Sequence, residues 1–561
     1  MGNTLKADAL QKYAATLRNI RLWDSEPLLQ AYRQLQEIRP YYQFPSVDID
    51  RYTIDGTLRQ VMHSARELDF SLVPERAQTW VNRHFFYTHG YGITLSPVNV
   101  VTRVGLPDFF IKDIPPRAVN AAVQKAIPIQ NSAIYYGELT DTDVYVNTKA
   151  LELDYPQAEE NIYGSYQGTG GMPVGQFWQR LLYAWYFRDS RILLSDEFTP
   201  ASKLLLRRQI VTRVKTIAPF LKYDRDPYMV ATEGNLYWVL DAYTTSDRYP
   251  YSEPAPPPNS FNYIRNSVKV VVDAYHGSVD FYIADPKDAI VQTYHRLYPT
   301  LFKPLEKMPI SLRQHLRYPI DLFQVQTQQY ATYHMTDPQV FYNKEDPWQI
   351  PQEARPHRNA LSPSQDSSLN QDSSLWLSKA AQTGGLQSME PYYLILELST
   401  LRNAAHPGTS TTTTQPAEFV LLTPFTPANK QNLIAWMAAR CDGEEYGKLL
   451  VYEFSRQSLV FGPQQVEARI NQNPLIAQQL SLWNQQGSRV NRGSMLIIPV
   501  GDSLLYVQPL YLEAEDSRLP ELTRVILAYE DRVVMQPTFE DAFRDLFAEE
   551  PQKDPPMQEV K

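Results

Sequence analysis

The spacing of apolar residues predicts helices in the first part of the chain. In residues 57–70, TLRQVMHSARELDF, apolar positions recur every three or four residues, as on one face of a helix: Leu58, Val61, Met62, Ala65 and Leu68. Residues 168–175 form a glycine-rich turn, and the apolar segment FWQRLLYAWYF follows it. Because a helix that is apolar on almost every side normally packs inside a protein, we expect this second helix to be buried.

Alternation of apolar and polar residues predicts strands in the middle of the chain. Residues 133–148 alternate on both sides of a polar turn at 140–143, as paired strands do. Residues 227–243 predict a hairpin that turns at Glu233-Gly234-Asn235. Residues 267–285 predict a second hairpin, with its turn at His276-Gly277. This part of the chain therefore predicts antiparallel sheet.

The last third of the chain predicts a smaller α/β unit. Strands are predicted at residues 392–398, 418–422 and 448–454, and a hairpin at residues 495–512 with its turn at Gly501-Asp502. Residues 426–440 predict a helix that has Thr426 at its N-cap and Pro427 at its first position, between two of these strands. A closing helix is predicted at 539–547. A strand, helix and strand in this order suggest a βαβ-like unit.

These elements predict the α+β class, with mixed helices and antiparallel hairpins in at least two packed domains. Long Pro/Tyr-rich connections are expected, since the chain has 43 Pro and 37 Tyr among 561 residues. We predict the following organisation: a helical and β-hairpin domain at 1–355, a Ser/Gln-rich linker or insertion at 356–390, a smaller α/β domain at 391–548, and a disordered acidic tail at 549–561.

Composition and charge narrow the classes of function. The formal net charge of −9 argues against a general nucleic-acid or anionic-lipid surface, because both would repel the chain at long range, although a local basic patch is compatible with it. The best basic stretch, residues 207–215, is typical of a solvated helix face. The single cysteine, Cys441, rules out an internal disulfide and is expected to be buried. No apolar run approaches the ~18 residues that span a bilayer, so this chain by itself is predicted to be soluble.

The densest group of reactive side chains is DAYTTSDRYPYSEP, residues 241–254. Asp241 and Asp247 of this stretch, together with Asp273 of the next hairpin, are candidate ligands for calcium or magnesium, which prefer carboxylate and carbonyl oxygens. The candidate ligand-binding side chains in the same stretch are Tyr243, Arg248, Tyr249 and Tyr251. The same composition is also typical of a corner in which Asp, Ser and Thr cap a turn. Both interpretations are open at the level of sequence.

No motif in the chain assigns catalytic residues. The Gly-Lys-Ser/Thr ending of a phosphate loop and the G-x-S-x-G elbow of hydrolases are both absent from the sequence. We therefore assign no catalytic residue, expect no cofactor beyond the calcium or magnesium just mentioned, and favour a non-enzymatic protein.

Eight segments carry a resemblance to a known family. They are YTIDGTLRQVMHSARELD, TWVNRHFFYTHGYGITLSPVN, GLPDFFIKDIPP, GNLYWVLDAYTTSDRYPYSE, NYIRNSVKVVVDAY, RYPIDLFQVQTQQYATYHMTDPQVFYN, NLIAWMAARCDGEEYGKLLVYEF and SLWNQQGSRVNRGSMLIIPVGDSLLYVQPLYLEAE. In this order they resemble the hydrophilic region of uncharacterised protein family 0182, a family of large bacterial integral membrane proteins. The resemblance covers roughly residues 20–547 and implies no particular reaction.

The resemblance implies a place on the extracytoplasmic side of the cell membrane. Attachment would use the transmembrane helices with which family members begin, or a separate membrane subunit. The leading hypothesis is an uncharacterised extracytoplasmic domain of a bacterial envelope membrane protein that binds a protein partner or an envelope polymer through an aromatic-rich surface. Two alternatives are a divalent-metal-dependent enzyme or metal-stabilised domain using Asp241, Asp247 and Asp273, and the soluble vestibule of a transport assembly.

Overall fold

The fold contains many helices and many strands. The computed structural model describes residues 13–157, 160–255, 261–354, 386–398, 417–455, 459–485, 487–500, 503–514 and 519–548. The α-helices are α1 Ala14–Leu17, α2 Ser25–Gln36, α3 Ala121–Ala126, α4 Phe177–Phe187, α5 Arg191–Leu194, α6 Ile210–Ile217, α7 Ala289–Leu297, α8 Ile310–Arg313, α9 Ile320–Tyr333, α10 Pro338–Asn343, α11 Pro463–Gln472, α12 Pro474–Trp483 and α13 Phe539–Leu546. Within the described ranges, no helix is both long and apolar enough to cross a membrane.

The strands fall into several sheets. Those before residue 355 are β1 Tyr42–Gln43, β2 Asp48–Ile54, β3 Thr57–Ala65, β4 Glu67–Leu68, β5 Gly90–Tyr91, β6 Ile93–Pro97, β7 Ile111–Lys112, β8 Arg117–Ala118, β9 Ala133–Ile134, β10 Val144–Val146, β11 Glu152–Gln157, β12 Glu160–Gly164, β13 Met172–Pro173, β14 Lys203–Leu205, β15 Lys222–Tyr223, β16 Tyr228–Thr232, β17 Asn235–Ser246, β18 Tyr263–Asp273, β19 Val279–Ile283, β20 Phe302–Pro304, β21 Trp348–Gln349 and β22 Gln352–Ala354. Those after residue 385 are β23 Leu386–Ser388, β24 Tyr392–Leu396, β25 Glu418–Pro427, β26 Ala435–Arg440, β27 Leu449–Glu453, β28 Ser488–Arg492, β29 Leu496–Val500, β30 Ser503–Ala514, β31 Glu521–Tyr529 and β32 Arg532–Gln536.

Four sheets of five or six strands dominate the described residues. Their strand orders are β2-β3-β6-β7-β8, then β15-β17-β18-β19-β20 with β16 on β17, then β21-β25-β26-β27 with β24 on β25, and β28-β30-β31-β32 with β29 on β30. Every pairing in these sheets is antiparallel except the one between β19 and β20. The predicted α+β class, with its antiparallel hairpins, is confirmed.

Tight turns with positive φ explain the hairpins that were predicted correctly. Glu233 and Gly234 have φ values of 52° and 83°, and they join β16 to β17. Gly277 has a φ of 70° in the turn between β18 and β19. The closing helix is confirmed as α13. The predicted turn at Gly501-Asp502 lies outside the described residues, although β29 and β30 on either side of it do pair.

The prediction of a helix at residues 57–70 is wrong. Residues 57–65 form β3, which pairs with β2 through a turn at Asp55 and Gly56, whose φ values are 49° and 69°. The last six residues of β3 are all buried. When both faces of a strand are covered, apolar positions no longer alternate, and their spacing can imitate a helix. The Asp-Gly turn was the local signal for a hairpin.

A second predicted helix, at residues 426–440, is also a hairpin. β25 continues to Pro427, and β26 returns beside it with Thr423 opposite Met437. β26 lies between β25 and β27, and all six of its residues are buried. Because β24 to β27 pair antiparallel, the unit is a meander and the predicted βαβ-like arrangement is absent.

Residues 133–148 form strands, but these do not pair with each other. β9 pairs with β5, and β10 pairs with β14. The alternation therefore identified the strands, whereas their partners lie elsewhere in the chain.

Two large apolar cores hold the described residues together. The first contains selected buried residues between positions 389 and 546 together with residues from earlier in the chain, such as Trp23, Tyr243 and Phe323. The second lies between residues 52 and 302 and includes Trp238. The predicted domains at 1–355 and 391–548 thus share a core, and their boundary stays a prediction. Residues 355–385, which contain most of the predicted linker, and the predicted tail at 549–561 lie outside the described residues.

Candidate functional site

Asp241 lies in the middle of β17, where the antiparallel register places it opposite Lys269 of β18. Both side chains are almost completely buried, with 4% and 0% of their surface exposed. Oδ1 of Asp241 accepts hydrogen bonds from Nζ of Lys269 and, at 3.0 Å, from Nδ2 of Asn266. Nζ of Lys269 also donates to Oη of Tyr446 at 2.5 Å. Protein donors therefore already bind the carboxylate of Asp241 inside the sheet.

Asp273 and Asp247 occupy different environments. Oδ1 of Asp273 accepts hydrogen bonds from the backbone N–H groups of Tyr275, at 2.8 Å, and His276, at 2.7 Å, so this carboxylate caps the hairpin turn. The side chain of Asp247 is 67% exposed and lies 3.8 Å from Nε of Arg248. Asp273 therefore caps a turn, whereas Asp247 is solvated.

The register of the sheet keeps the three predicted metal ligands apart. Asp241 pairs with Lys269, and Asp273 lies four residues further along β18, which is roughly 13 Å at the usual rise of a strand. Asp247 follows the other end of β17 and is further still from Asp273. The convergence that a calcium or magnesium site at Asp241, Asp247 and Asp273 requires is therefore not present. Among the described residues, no group of three or more His, Cys, Asp or Glu side chains is placed to hold a metal ion.

The four predicted ligand-binding side chains divide between the interior and the surface. Tyr243 is completely buried, whereas Arg248, Tyr249 and Tyr251 are exposed on the loop that follows β17. The ring of Tyr249 stacks on Tyr263, with centroids 5.4 Å apart. Tyr251 projects fully into solvent. The structure thus brings three of the four onto one loop and excludes Tyr243 from that surface.

Tyr243 belongs instead to a buried pair with Asp224, to which its hydroxyl donates a hydrogen bond. Burial raises the pKa of Asp224 well above its ordinary value, and the nearby carboxyl groups of Asp321 and Asp241 raise it further. Burial also raises the pKa of the Tyr243 phenol. Both groups are therefore favoured in their neutral, proton-bearing forms.

Asp241 is one member of a larger group that we call the buried ion cluster. Its members are Asp48, Asp50, Arg51, Asp226, Asp241, Lys269, His315, Arg317 and Asp442. Arg51 donates to Asp442 at 2.7 Å, which connects β2 with the loop after β26. Oη of Tyr446, the acceptor for Lys269, itself donates to the backbone carbonyl of Arg317 at 3.1 Å. The cluster therefore lies where the first 354 residues meet the C-terminal sheets.

Opposing effects set the pKa values of two acids in the cluster. Burial raises the pKa of Asp48 to about 7, although Arg317 acts in the opposite direction. Burial also acts to raise the pKa of Asp50, but His315, 2.7 Å away, and Arg51 outweigh it and lower that pKa. Two acids in different protonation states are a common pattern in acid–base catalysis. Here both acids are at least 96% buried, so a substrate has no access to them, and the cluster is best understood as structural.

His63 lies beside this cluster, and neither of its ring nitrogens has a hydrogen-bond partner among the residues that the structure describes. Burial lowers its pKa to about 4, although Asp50 acts to raise it, while Arg317 and His315 lower it further. The folded protein therefore holds His63 as a neutral imidazole at neutral pH. A buried polar group with no partner costs stability, because it has lost its hydrogen bonds to water.

We expect the substitution His63→Leu to change the pH dependence of stability. Below pH 6.5 the unfolded chain binds a proton at His63, whereas the folded chain binds it only near pH 4. The stability of the wild type therefore falls as the pH is lowered over this range. The leucine variant lacks this loss. The difference in free energy of unfolding, variant minus wild type, should therefore be roughly 3 kcal/mol larger at pH 4 than at pH 7. Urea unfolding at several pH values measures the difference. His295→Leu, on the half-buried face of α7, is the control. Parallel curves for wild type and His63→Leu would contradict the prediction.

The most unusual surface feature is the outer face of α4. Six large apolar side chains point outward from it, and their exposed fractions range from 52% to 77%: Phe177, Trp178, Leu181, Leu182, Trp185 and Tyr186. At 100° per residue these positions form two adjacent columns on one side of the helix. We call this surface the α4 face. The prediction that this helix is buried is wrong for the α4 face.

The inner side of α4 explains why the helix is held in place. Ala184 is buried in a small core with Phe85, Tyr145 and Leu204. α4 ends at Phe187, and the next residue, Arg188, has a φ of 54° that turns the chain toward α5. Both sides of α4 are therefore apolar, but the described part of the chain covers only the inner one.

The α4 face is large for a free protein surface. Side chains of this size present about 150–250 Å² each, so the exposed fractions correspond to roughly 500–900 Å². Monomeric soluble proteins rarely expose contiguous apolar patches beyond a few hundred Å², and larger ones usually mark contact with a protein, a ligand or a membrane. The α4 face is therefore the candidate functional site.

Sequence patterns missed this surface and most of the buried ion cluster. The signal for the α4 face was present, since the helix is apolar all round, but the sequence did not show which side would remain uncovered. The cluster members come from four distant parts of the chain. Its one local signal was the Asp55-Gly56 turn, which would have placed Asp48 and Asp50 on a strand rather than before a helix.

These observations define an α+β protein that has several antiparallel sheets, a buried ion cluster and an exposed aromatic helix face. Residues 1–483 match the profile of the Uncharacterised protein family (UPF0182), and the chain belongs to this family.

The chain is similar to UPF0182 proteins of several bacteria. It is 61% identical over 547 residues to a protein of Synechococcus sp. (strain JA-3-3Ab), a match that covers 97% of this chain and 60% of that protein. It is 50% identical over 548 residues to a protein of Pelotomaculum thermopropionicum, covering 98% of this chain and 55% of that protein. The chain thus spans little more than half the length of these relatives. No solved structure matches it.

Proposed function

We propose that this chain forms the extracytoplasmic domain of a bacterial envelope membrane protein and that it binds an envelope component through the α4 face. The observation that carries the binding proposal is the exposure of six large apolar side chains on one side of a folded helix. Aromatic residues dominate the energy of interfaces, because each buries a large area with little loss of conformational freedom. Binding, rather than catalysis, is the role that this surface suits.

The length of the relatives supports the membrane part of the proposal. About two-fifths of the Synechococcus protein lies outside the match, which leaves room for a membrane anchor. The family resemblance implies transmembrane helices in such an additional region. The exposed loop that carries Arg248, Tyr249 and Tyr251 remains a second proposed contact for the same partner.

Labelling of a single introduced cysteine tests the proposed location. The natural Cys441 is buried, so it should react slowly and give a low background. Tyr342 is 86% exposed, and the variant Tyr342→Cys therefore presents a thiol at the surface. In cells whose envelope admits the reagent as far as an intact cytoplasmic membrane, a membrane-impermeant maleimide should label this variant before lysis. Labelling only after lysis would overturn the location.

Sedimentation with envelope fragments tests the proposed binding. We expect the purified chain to sediment with envelope fragments of the source organism, and the double variant Trp178→Ser/Trp185→Ser to lose roughly tenfold or more in affinity, since two such anchors can dominate an interface. The matched control is Tyr342→Ser/Leu475→Ser, which removes two side chains that are 86% and 73% exposed elsewhere. Equal sedimentation of both variants would show that the α4 face is not the binding surface.

A further inference from the structure

The partner of the α4 face can be specified further from the chemistry of the face and its surroundings. Two tryptophans, a tyrosine and a phenylalanine accompany two leucines on the face. This mixture is typical of the boundary between headgroups and acyl chains, where aromatic rings place an apolar body in lipid and a polar tip in water. Protein interfaces are also rich in aromatic residues, so composition alone does not decide between the two.

Local charge favours an anionic membrane as the partner. Residues 172–215 contain eight Lys or Arg and three Asp or Glu, a formal charge of +5, whereas the whole chain carries −9. Arg208 is buried and does not contribute to the surface, which leaves +4. Arg188 and Arg207 are exposed. The exposed apolar face therefore lies on a basic segment of an acidic chain.

The basic segment is also close to α4 in space. Leu204 and Leu206 pack in the same small core as Ala184 on the inner side of α4. Arg207 follows Leu206 directly, and Arg188 is the first residue after α4. A basic surface beside an exposed apolar helix is the combination by which peripheral helices bind anionic lipid, since apolar burial and headgroup attraction add.

We propose that the α4 face inserts into the headgroup boundary of an anionic phospholipid bilayer, with Arg188 and Arg207 contacting the lipid phosphates. Ala184 on the inner side of α4 stays packed in the small core, so only the exposed side chains of the α4 face would enter the bilayer. This inference rests on the proposed function, because it names the envelope component that the α4 face binds. It adds a second membrane contact, independent of any anchor.

Flotation of the purified chain with lipid vesicles tests the proposal. The chain should float with vesicles of phosphatidylcholine and phosphatidylglycerol, and much less with phosphatidylcholine alone. Raising the salt concentration should weaken binding, because salt screens the headgroup attraction. Tryptophan emission should shift to shorter wavelength with the mixed vesicles, and Trp178→Ser/Trp185→Ser should lose both this shift and roughly tenfold or more of the binding.

Two further variants keep the result interpretable. Arg188→Gln/Arg207→Gln should reduce binding to the mixed vesicles while leaving the weak binding to phosphatidylcholine unchanged. Tyr342→Ser/Leu475→Ser should bind as the wild type does. Thermal unfolding of each variant, followed by circular dichroism, should match that of the wild type, because the changed side chains are mostly exposed.

The outcomes separate this inference from the proposed function. If the chain sediments with envelope fragments through the α4 face but floats with neither vesicle, the partner is a protein or polymer, and the lipid proposal is overturned while the proposed function stands. If it binds neither fragments nor vesicles, both are overturned. If Trp178→Ser/Trp185→Ser floats like the wild type, the chain binds lipid elsewhere and the role of the α4 face is refuted.

Discussion

The substitution Lys269→Met is expected to lower the free energy of unfolding by about 3–5 kcal/mol, which is the usual cost of removing one partner of a buried ion pair. Lys269 is completely buried, and its ammonium group donates to both Asp241 and Tyr446. Without it, Asp241 keeps a side-chain hydrogen bond from Asn266, but no other cation in the described ranges forms an ion pair with its carboxylate. Urea unfolding followed by tryptophan fluorescence measures the change.

Two comparisons make this expectation specific. The double variant Asp241→Leu/Lys269→Met should recover most of the lost stability, because replacing both charges with apolar groups leaves neither uncompensated. Lys303 forms the same type of pair with Asp280 in the same sheet, at 2.6 Å, but the two side chains are 46% and 36% exposed. Lys303→Met should therefore cost less than about 1 kcal/mol. A Lys269→Met protein no less stable than Lys303→Met would refute the importance of the buried pair.

The substitution Arg317→Met is expected to cost a similar amount, about 3–5 kcal/mol at pH 8. The guanidinium donates to Asp226 at 2.7 Å and to the carbonyl of Ile49 at 2.9 Å, and it lies over the ring of Tyr228, 3.9 Å from the centroid. Its side chain is only 4% exposed. Removing it leaves a carbonyl without its donor and takes the positive charge away from two acids.

The effect of Arg317→Met should depend on pH. Burial raises the pKa of Asp48 to about 7, and Arg317 restrains this rise. In the variant the pKa of Asp48 therefore rises further. A raised carboxyl pKa destabilises the folded state as the pH rises. The variant should therefore lose most stability above pH 7. Below pH 7, where Asp48 becomes protonated, its stability should approach that of the wild type.

Urea unfolding at pH 5 and pH 8 measures this trend. Arg544→Met is the control, because the side chain of Arg544 is 78% exposed and pairs with Asp541 within one turn of α13. A destabilisation of Arg317→Met that is the same at both pH values would contradict the assignment of Asp48 as the responding group.

Local signals in the sequence predicted the hairpins around β17 and β18 well. A glycine at Gly234 or Gly277 permits the positive φ of the turn, and the flanking residues have strong strand propensity. The same reasoning fails at β3 and β26, which are buried on both faces. Their apolar residues then show no alternation of period two, and an Ala-rich or Leu-rich stretch is easily taken for a helix.

Only part of the candidate site could be predicted from the sequence. The apolar run of α4 identified a helix correctly, and the prediction that it would be buried assumed that this chain supplies the cover. The structure shows that Ala184 packs inward while Trp178 and Trp185 remain exposed. For Asp241 the sequence showed a polar cluster with Asp247 and Asp273, but its actual charged partner, Lys269, lies 28 residues away along the chain. Tyr446, the second acceptor of Lys269, is 177 residues from Lys269.

The sequence by itself determined the class of the fold, the positions of the glycine turns and the presence of an apolar helix at α4, because these depend on φ preferences and on side-chain spacing within a few residues. Only the tertiary structure decided which charges meet in the buried ion cluster and which side of α4 is left exposed. Both depend on burial, and burial is set by contacts between segments that lie far apart in the chain.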